Sequence, residues 1–306
     1  MNYNSCAIEV NNMCKLHCKH CCQNYDIGYD YIEIKDFQYI VDNISKSQNI
    51  EAICLTGGEV FSDLDILVRY FEILKKTNRY LTLVTSAIWA NKLKETKEIL
   101  YKLRNCGLKL ITISFDEFHF EYVPHKNVIN LINACNDLKI KSDIQIPILN
   151  NSDLSNVINP IKKYLYKTGI RVYPAYPIGR AAYFDSKEII RSNINKNLSC
   201  GKGNSFEIEY DGRINPCCSP YAKYIDFNLG NIYNSHISEI FDKLEKHTIL
   251  MYLRNKGFGP FLKMADNKNI SLPDRVVSSC EICHYLFSDN KYLNYVIDIY
   301  KELDRI

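Results

Sequence analysis

The stretch NNMCKLHCKHCC, residues 11–22, holds Cys14, Cys18 and Cys21 in a Cys-x3-Cys-x2-Cys spacing. It follows CAIEV, residues 6–10, a short apolar run that reads as the first strand of the chain. Three thiolates can hold three irons of a cubane [4Fe-4S] cluster, which leaves the fourth iron open to a small-molecule ligand. A zinc site is one alternative, although zinc commonly takes a fourth protein ligand and favours paired Cys-x2-Cys knuckles. Scattered structural cysteines are the other.

Downstream of this loop, β-branched runs alternate with segments of helical period as far as about residue 176. The strands after CAIEV are EAICLT (51–56), YLTLVTS (80–86), KLITISF (109–115), SDIQIPIL (142–149) and IRVYPA (170–175). Between them KDFQYIVDNISK (35–46), DLDILVRYFEILKK (63–76), NKLKETKEILYKLRN (91–105), KNVINLINACNDLK (126–139) and LSNVINPIKKYLYK (154–167) repeat apolar residues at i, i+3, i+4 and i+7. Five helices joining six strands predict βαβ units around a parallel sheet. Right-handed crossovers curl such a series into a barrel, which six units leave open. The expected fold class is α/β, a partial (β/α)6 TIM-like barrel over residues 1–197 followed by a cysteine-rich region over 198–306. The polar connection FDSKEIIRSNINKN (184–197) is expected to be partly helical. In βα barrels the working residues sit at the carboxyl ends of the strands.

A chain of 306 residues with 46% hydrophobic content can bury a substantial core as one large domain plus an appendage. No run approaches the roughly 20 apolar residues of a membrane span, and MNYNSCAIEV lacks the basic-then-apolar order of a secretion signal. A cytoplasmic location is therefore expected, with no membrane partner. Thirteen cysteines in such a chain point to metal binding or catalysis, not to a disulfide scaffold. The net charge of +3 is dispersed without a basic face, so nucleic-acid binding is not indicated.

Gly57, Gly58 and Glu59 follow the second strand directly, where glycine lets the backbone approach a ligand closely. The three-cysteine loop and this Gly-Gly-Glu, one βα unit apart, resemble the radical SAM superfamily. That resemblance implies S-adenosylmethionine (SAM) on the open iron, reductive cleavage to a 5'-deoxyadenosyl radical, and Gly57-Gly58-Glu59 beside the methionine amino group. It also implies an electron donor such as flavodoxin or ferredoxin. Ser86, Asp116 and Gln145, at or in the third, fourth and fifth strands, match positions that contact the cofactor's ribose and carboxylate in the family. Ser86 or Asn91 can instead cap the following helix. His20 stands where many relatives place an aromatic that packs on adenine, and Cys22 is expected as a buried thiol. Arg180, in PIGRA just beyond the sixth strand, can clamp a carboxylate through paired hydrogen bonds. The segment DEFHFEYVP (116–124) also resembles one recurring in some of these enzymes, with His119 as a substrate or structural contact.

Cys200 and Cys217 flank Gly212 in a Cys-x11-Gly-x4-Cys arrangement, with a hairpin turned at Asp211-Gly212, and Cys280-x2-Cys283 completes four thiols. Four thiols suffice for a tetrahedral zinc or for one cluster. The pattern looks like the SPASM or twitch extension of radical SAM enzymes, reduced to one auxiliary iron-sulfur cluster because no cysteine-rich run lies between 219 and 279. Cys218 is left over beside a presumed ligand. A thiol can return a hydrogen atom to a carbon radical, as in radical SAM peptide epimerases, although Cys218 can equally be an alternative ligand or a buried small hydrophobe.

The resemblance therefore implies an enzyme that abstracts hydrogen from a ribosomally made peptide, with epimerisation using Cys218 as donor first, and thioether or carbon-carbon cross-linking second. A sulfatase-type protein maturase or an enzyme oxidising a small molecule, and a zinc- or cluster-binding SAM-responsive module without turnover, stay open. Because the first motif begins at residue 14, leader recognition is expected to use the barrel face, the C-terminal region or a separate peptide-recognition protein.

Overall fold

The computed structural model describes residues 3–23, 30–195, 198–201, 204–267 and 269–288. Six strands, β1 (Ser5–Glu9), β2 (Ala52–Thr56), β3 (Tyr80–Thr85), β4 (Leu108–Ser114), β5 (Lys141–Ile148) and β6 (Thr168–Pro174), run in the spatial order 6-5-4-3-2-1. Every neighbouring pair is parallel, and the register is continuous from Ser5 opposite Ala52 to Ile148 opposite Pro174, apart from one shift at Leu81/Thr82. Sequential parallel order means that each crossover advances one strand in one direction, which curls the sheet. β1 and β6 do not pair, so the barrel is partial, as expected from six units.

The crossover helices α1 (Ile34–Ser45), α2 (Leu64–Lys75), α3 (Leu93–Asn105) and α4 (His125–Leu138) form where the apolar period indicated. In α1 the buried face is Phe37, Ile40, Val41 and Ile44, and in α2 it is Leu67, Tyr70, Phe71 and Leu74. Both sets follow i, i+3, i+4, i+7, and each fully buried side chain contributes about 1.5–3 kcal/mol by leaving water. Asp63 starts α2 by accepting from the Ile66 N–H at 3.0 Å, a helix cap.

The expected fifth helix over 154–167 is wrong in extent. α5 spans only Leu154–Ile158, and a short 3-10 turn follows at Lys162–Tyr164. Pro160 lacks the N–H that the helix needs and its ring clashes with the preceding turn, so the helix stops before it. The connection over 184–195 is not helical either: among its described residues it carries turns and the two-residue strand β7 (Ser192–Asn193).

The chain divides into two compact units. One spans Asn4–Ile190 with Ile208–Gly212, and the other comprises Tyr3 with the described residues of Arg191–Glu207 and Arg213–Ile306. Beyond the barrel, β8 (Ser205–Ile208) and β9 (Ile214–Asn215) are neighbouring strands, turned at Gly212, whose N–H reaches the Glu209 carbonyl at 2.8 Å. Helices α6 (Ile237–Lys246), α7 (Thr248–Lys256) and α8 (Gly259–Asn267) follow. β10 (Arg275–Val276) then pairs antiparallel with β7, and α9 (Ser279–Phe287) ends the described chain. No helix among the described residues is long and apolar enough to cross a membrane.

Candidate active site

The loop that carries Cys14, Cys18 and Cys21 is pinched shut at its base. Asn11 bridges Tyr31, Asn12 N–H reaches the Asp30 carbonyl at 3.1 Å, and the Asn12 amide and Asp30 exchange two further bonds of 2.9 Å. Inside the loop, Cys21 N–H donates to the Cys18 carbonyl at 3.1 Å and Leu16 N–H to Cys14 Sγ at 3.4 Å. All three thiols are free and line one cavity of about 200 Å3 at the carboxyl ends of the strands. Burial pushes the Cys14 thiol up to about 11 and raises Cys21 as well. Cys14 and Cys21 thus ionise readily only where a cation offsets the cost, and three thiols converging on one cavity are a donor set suited to a metal cluster.

A second segment locks this loop from above. Arg180 Nε donates to the Cys18 carbonyl at 3.0 Å and Arg180 N–H to the Cys21 carbonyl at 2.9 Å. The approach requires Gly179, at φ +58°, because a Cβ there would lie 2.7 Å from both the Cys21 oxygen and the Cys22 carbonyl carbon. Arg180 lines the cavity, so its guanidinium both holds the loop and faces the ligand space. Cys22, expected to be buried, is half-buried and also lines the cavity.

Gly57 and Gly58 line the opposite wall. Gly58 N–H donates to the Asn11 carbonyl at 2.9 Å, and a Cβ on Gly58 would sit 2.2 Å from the Met13 oxygen, so only glycine fits against the three-cysteine loop. Glu59 turns away from the cavity. Its carboxylate accepts from Thr85 Oγ1 at 2.7 Å, Ser86 N–H at 2.8 Å, Ser86 Oγ and Phe61 N–H at 3.2 Å. The buried Glu59 side chain therefore fastens the end of β3 to the turn after β2, while the backbone of Gly57 and Gly58 faces the ligand space. Ser86 lines the cavity, with its hydroxyl engaged by Glu59.

Asp116 is fully buried and lines the cavity together with His119. It accepts from Phe118 N–H at 2.9 Å, bonds His119 Nδ1 at 2.9 Å, and lies 3.4 Å from His20 Nε2. The two imidazoles respond oppositely. Burial lowers His20 to about 4 against the pull of Asp116, so it is neutral at working pH. Burial also opposes charge on His119, but the Asp116 carboxylate and hydrogen bonds to Asp116 and Cys18 push it up to about 10. His119 is thus held toward its protonated form between a buried carboxylate and the Cys18 thiol. His20 stacks on Phe118 with centroids 4.9 Å apart and lines the cavity.

Gln145 faces the cavity and donates to Ser114 Oγ at 2.9 Å. Tyr173 and Tyr176 also line it and were not singled out from sequence, nor was Asn11, which ties the two motifs together. The sequence of β6 gives no signal for Tyr173, because the alternating apolar residues Ile170 and Val172 are themselves exposed. Burial raises the Tyr173 hydroxyl, so it stays protonated as a donor. Tyr176 and Asn11 carry no signal either.

The second unit holds Cys200, Cys217, Cys280 and Cys283 around one cavity with Arg254 and Tyr221. Burial and the neighbouring thiols raise Cys217 and Cys283, a cost that a bound cation would offset. Four converging thiols fit a single cluster or a zinc ion. Cys218, expected to be a donor, an alternative ligand or a buried thiol, is exposed beside half-buried Cys217.

Comparison with known proteins matches residues 8–153 to the radical SAM superfamily and residues 200–284 to the SPASM iron-sulfur cluster-binding domain. A Bacillus subtilis (strain 168) protein, YydG, which carries the provisional name of a peptide biosynthesis protein, is 26% identical over 302 residues, covering 94% of this chain and 93% of that one. The crystal structure of BtrN in complex with AdoMet and 2-DOIA aligns with a TM-score of 0.52 at 15% identity, over 84% of this chain and 89% of that one.

Proposed function

The chain is a radical SAM enzyme with a SPASM region that binds an auxiliary iron-sulfur cluster, and from that premise we propose that it modifies a peptide, epimerising residues with Cys218 as hydrogen-atom donor. The observation that carries the site is the convergence of Cys14, Cys18 and Cys21 with Gly57, Gly58, Gln145 and Arg180 on one cavity. The peptide class is supported by the name of the YydG relative. When bound, the [4Fe-4S] cluster and SAM supply a 5'-deoxyadenosyl radical.

The residues divide the remaining work. Cys14, Cys18 and Cys21 hold the cluster, and Arg180 with Gly179 fixes their loop. Gly57 and Gly58 give SAM's methionine end a close backbone wall, which Glu59 stiffens from behind. His20, neutral and braced on Phe118, offers an imidazole face to adenine, and Gln145 and Ser86 offer polar groups to the ribose and carboxylate. Asp116 acts through His20 and His119, whose orientations it sets.

Were that radical to take a Cα–H hydrogen from a peptide residue, 5'-deoxyadenosine would leave and the residue would be left as a Cα radical. Cys218 S–H would then return a hydrogen atom to the opposite face and become a sulfur radical. One electron from a flavodoxin- or ferredoxin-class donor and one proton restore the thiol. Cys200, Cys217, Cys280 and Cys283 hold one auxiliary cluster in this reading.

The test is incubation of the anaerobically reconstituted enzyme with SAM, reductant and short peptides encoded beside it, in deuterated water. Epimerised residues carrying one deuterium at Cα are expected. A product with new thioether or carbon-carbon bonds and no solvent deuterium would replace epimerisation by cross-linking.

A further inference from the structure

Among the described residues that line the four-cysteine cavity, the one charged side chain besides the cysteines is Arg254, on α7. The remaining wall is largely apolar, including Ile225, Phe227, Leu250, Leu253 and Phe258. Arg254 is fixed in place. Its Nη2 donates to Tyr3 Oη at 2.6 Å and to the Pro216 carbonyl at 3.4 Å, and its guanidinium carbon lies 4.6 Å over the Tyr3 ring. Tyr3 is itself buried, donates to the same Pro216 carbonyl at 3.3 Å, and packs edge-on against Phe206. Pro216 immediately precedes Cys217, so both groups that hold the guanidinium are set by the backbone that delivers a thiol.

We propose that Arg254, clamped by Tyr3 and Pro216, is the charge partner of the four-cysteine site and raises the reduction potential of the cluster held there. The proposal rests on the reading that these cysteines bind an iron-sulfur cluster. A cluster with four thiolate ligands is anionic and gains one further negative charge on reduction, so a fixed cation stabilises the reduced state more than the oxidised one. An apolar wall screens that attraction less than water would. Charge, hydrogen bonding and burial around the sulfurs are the means by which a protein tunes such a couple. Arginine suits the task because it stays charged when buried, and its flat guanidinium can stack on the Tyr3 ring. Arg254 acts on the cluster through space and is a positioning residue, not a catalytic one.

The experiment uses the full chain with Cys14, Cys18 and Cys21 replaced by alanine, so that the remaining iron belongs to the second site. Iron, sulfide and zinc are quantified, and the site is titrated with dithionite under electron paramagnetic resonance, alone and with Arg254→Met or Arg254→Lys. The Met variant is expected to keep its iron and become at least tenfold harder to reduce, about 59 mV more negative for a one-electron couple. The Lys variant is expected to stay near the parent. Full iron with an unchanged potential in the Met variant overturns the proposal, as do equal shifts in Met and Lys, or loss of iron from both. Stoichiometric zinc without iron in the parent instead overturns the ligand reading, and the proposal with it.

Discussion

Arg180 holds Cys18 across the whole length of the barrel sequence, its Nε 3.0 Å from the Cys18 carbonyl. A residue expected to grip a ligand carboxylate is thereby also part of the cluster loop's frame. A charge-assisted hydrogen bond of this kind contributes about 1.5–3 kcal/mol. Arg180→Met is therefore expected to lower retention of the first cluster by roughly 10- to 100-fold during gel filtration with a chelator, read as iron per chain. If iron is fully retained and only the Michaelis constant for SAM rises, the arginine serves the ligand alone.

Gly179→Ala places a methyl group against the Cys21–Cys22 backbone at a positive φ. Strain of about 1–3 kcal/mol, added to the clash, is expected to dislodge the cluster loop. Iron and sulfide should fall to the content of the second site, with 5'-deoxyadenosine formation lost. An alanine variant with full iron and normal turnover would show that the two loops are not tightly apposed.

Glu59 provides a sharper division between scaffold and ligand contact. Glu59→Gln keeps the shape but sets an amide donor among the Thr85, Ser86 and Phe61 donors, at about 1–3 kcal/mol for a buried unmatched group. The apo-protein's melting temperature is expected to fall by roughly 2–4 °C per kcal/mol. A direct SAM contact alone would weaken SAM binding and leave the apo-protein's melting temperature unchanged.

For Cys218, the variant Cys218→Ala is expected to go on cleaving SAM to 5'-deoxyadenosine while losing deuterium-labelled epimerised product, measured by mass spectrometry after peptide hydrolysis. Undiminished epimerisation in that variant would remove the thiol from the reaction.

The barrel was legible because its signals are local. Strands such as EAICLT and KLITISF stand within a residue or two of β2 and β4, since β-branched runs between amphipathic helices admit little else. Pro160 was visible too, and reading the apolar period through it was the error that made α5 too long. The cysteine spacing and Gly-Gly pair marked the pocket for the same reason, as short motifs at strand ends. Glu59 was less readable. Its position was plain, but the direction of its side chain depends on donors supplied by Thr85 and Ser86, 26 and 27 residues on. Asn11, Tyr176 and the Tyr3–Arg254 pair were not legible at all, because their roles exist only when distant backbone segments are brought together.

The clasp between Tyr3 and Arg254 joins residues 251 positions apart. During synthesis the third residue emerges first yet waits for α7 before it has anything to bind. At about 5–20 residues per second, that delay lasts tens of seconds. The four-cysteine unit therefore cannot close this clasp until α7 has been made, well after the last barrel strand, β6, has left the ribosome. The bond that holds Arg254 is in that sense a late one, whatever the barrel has done by then.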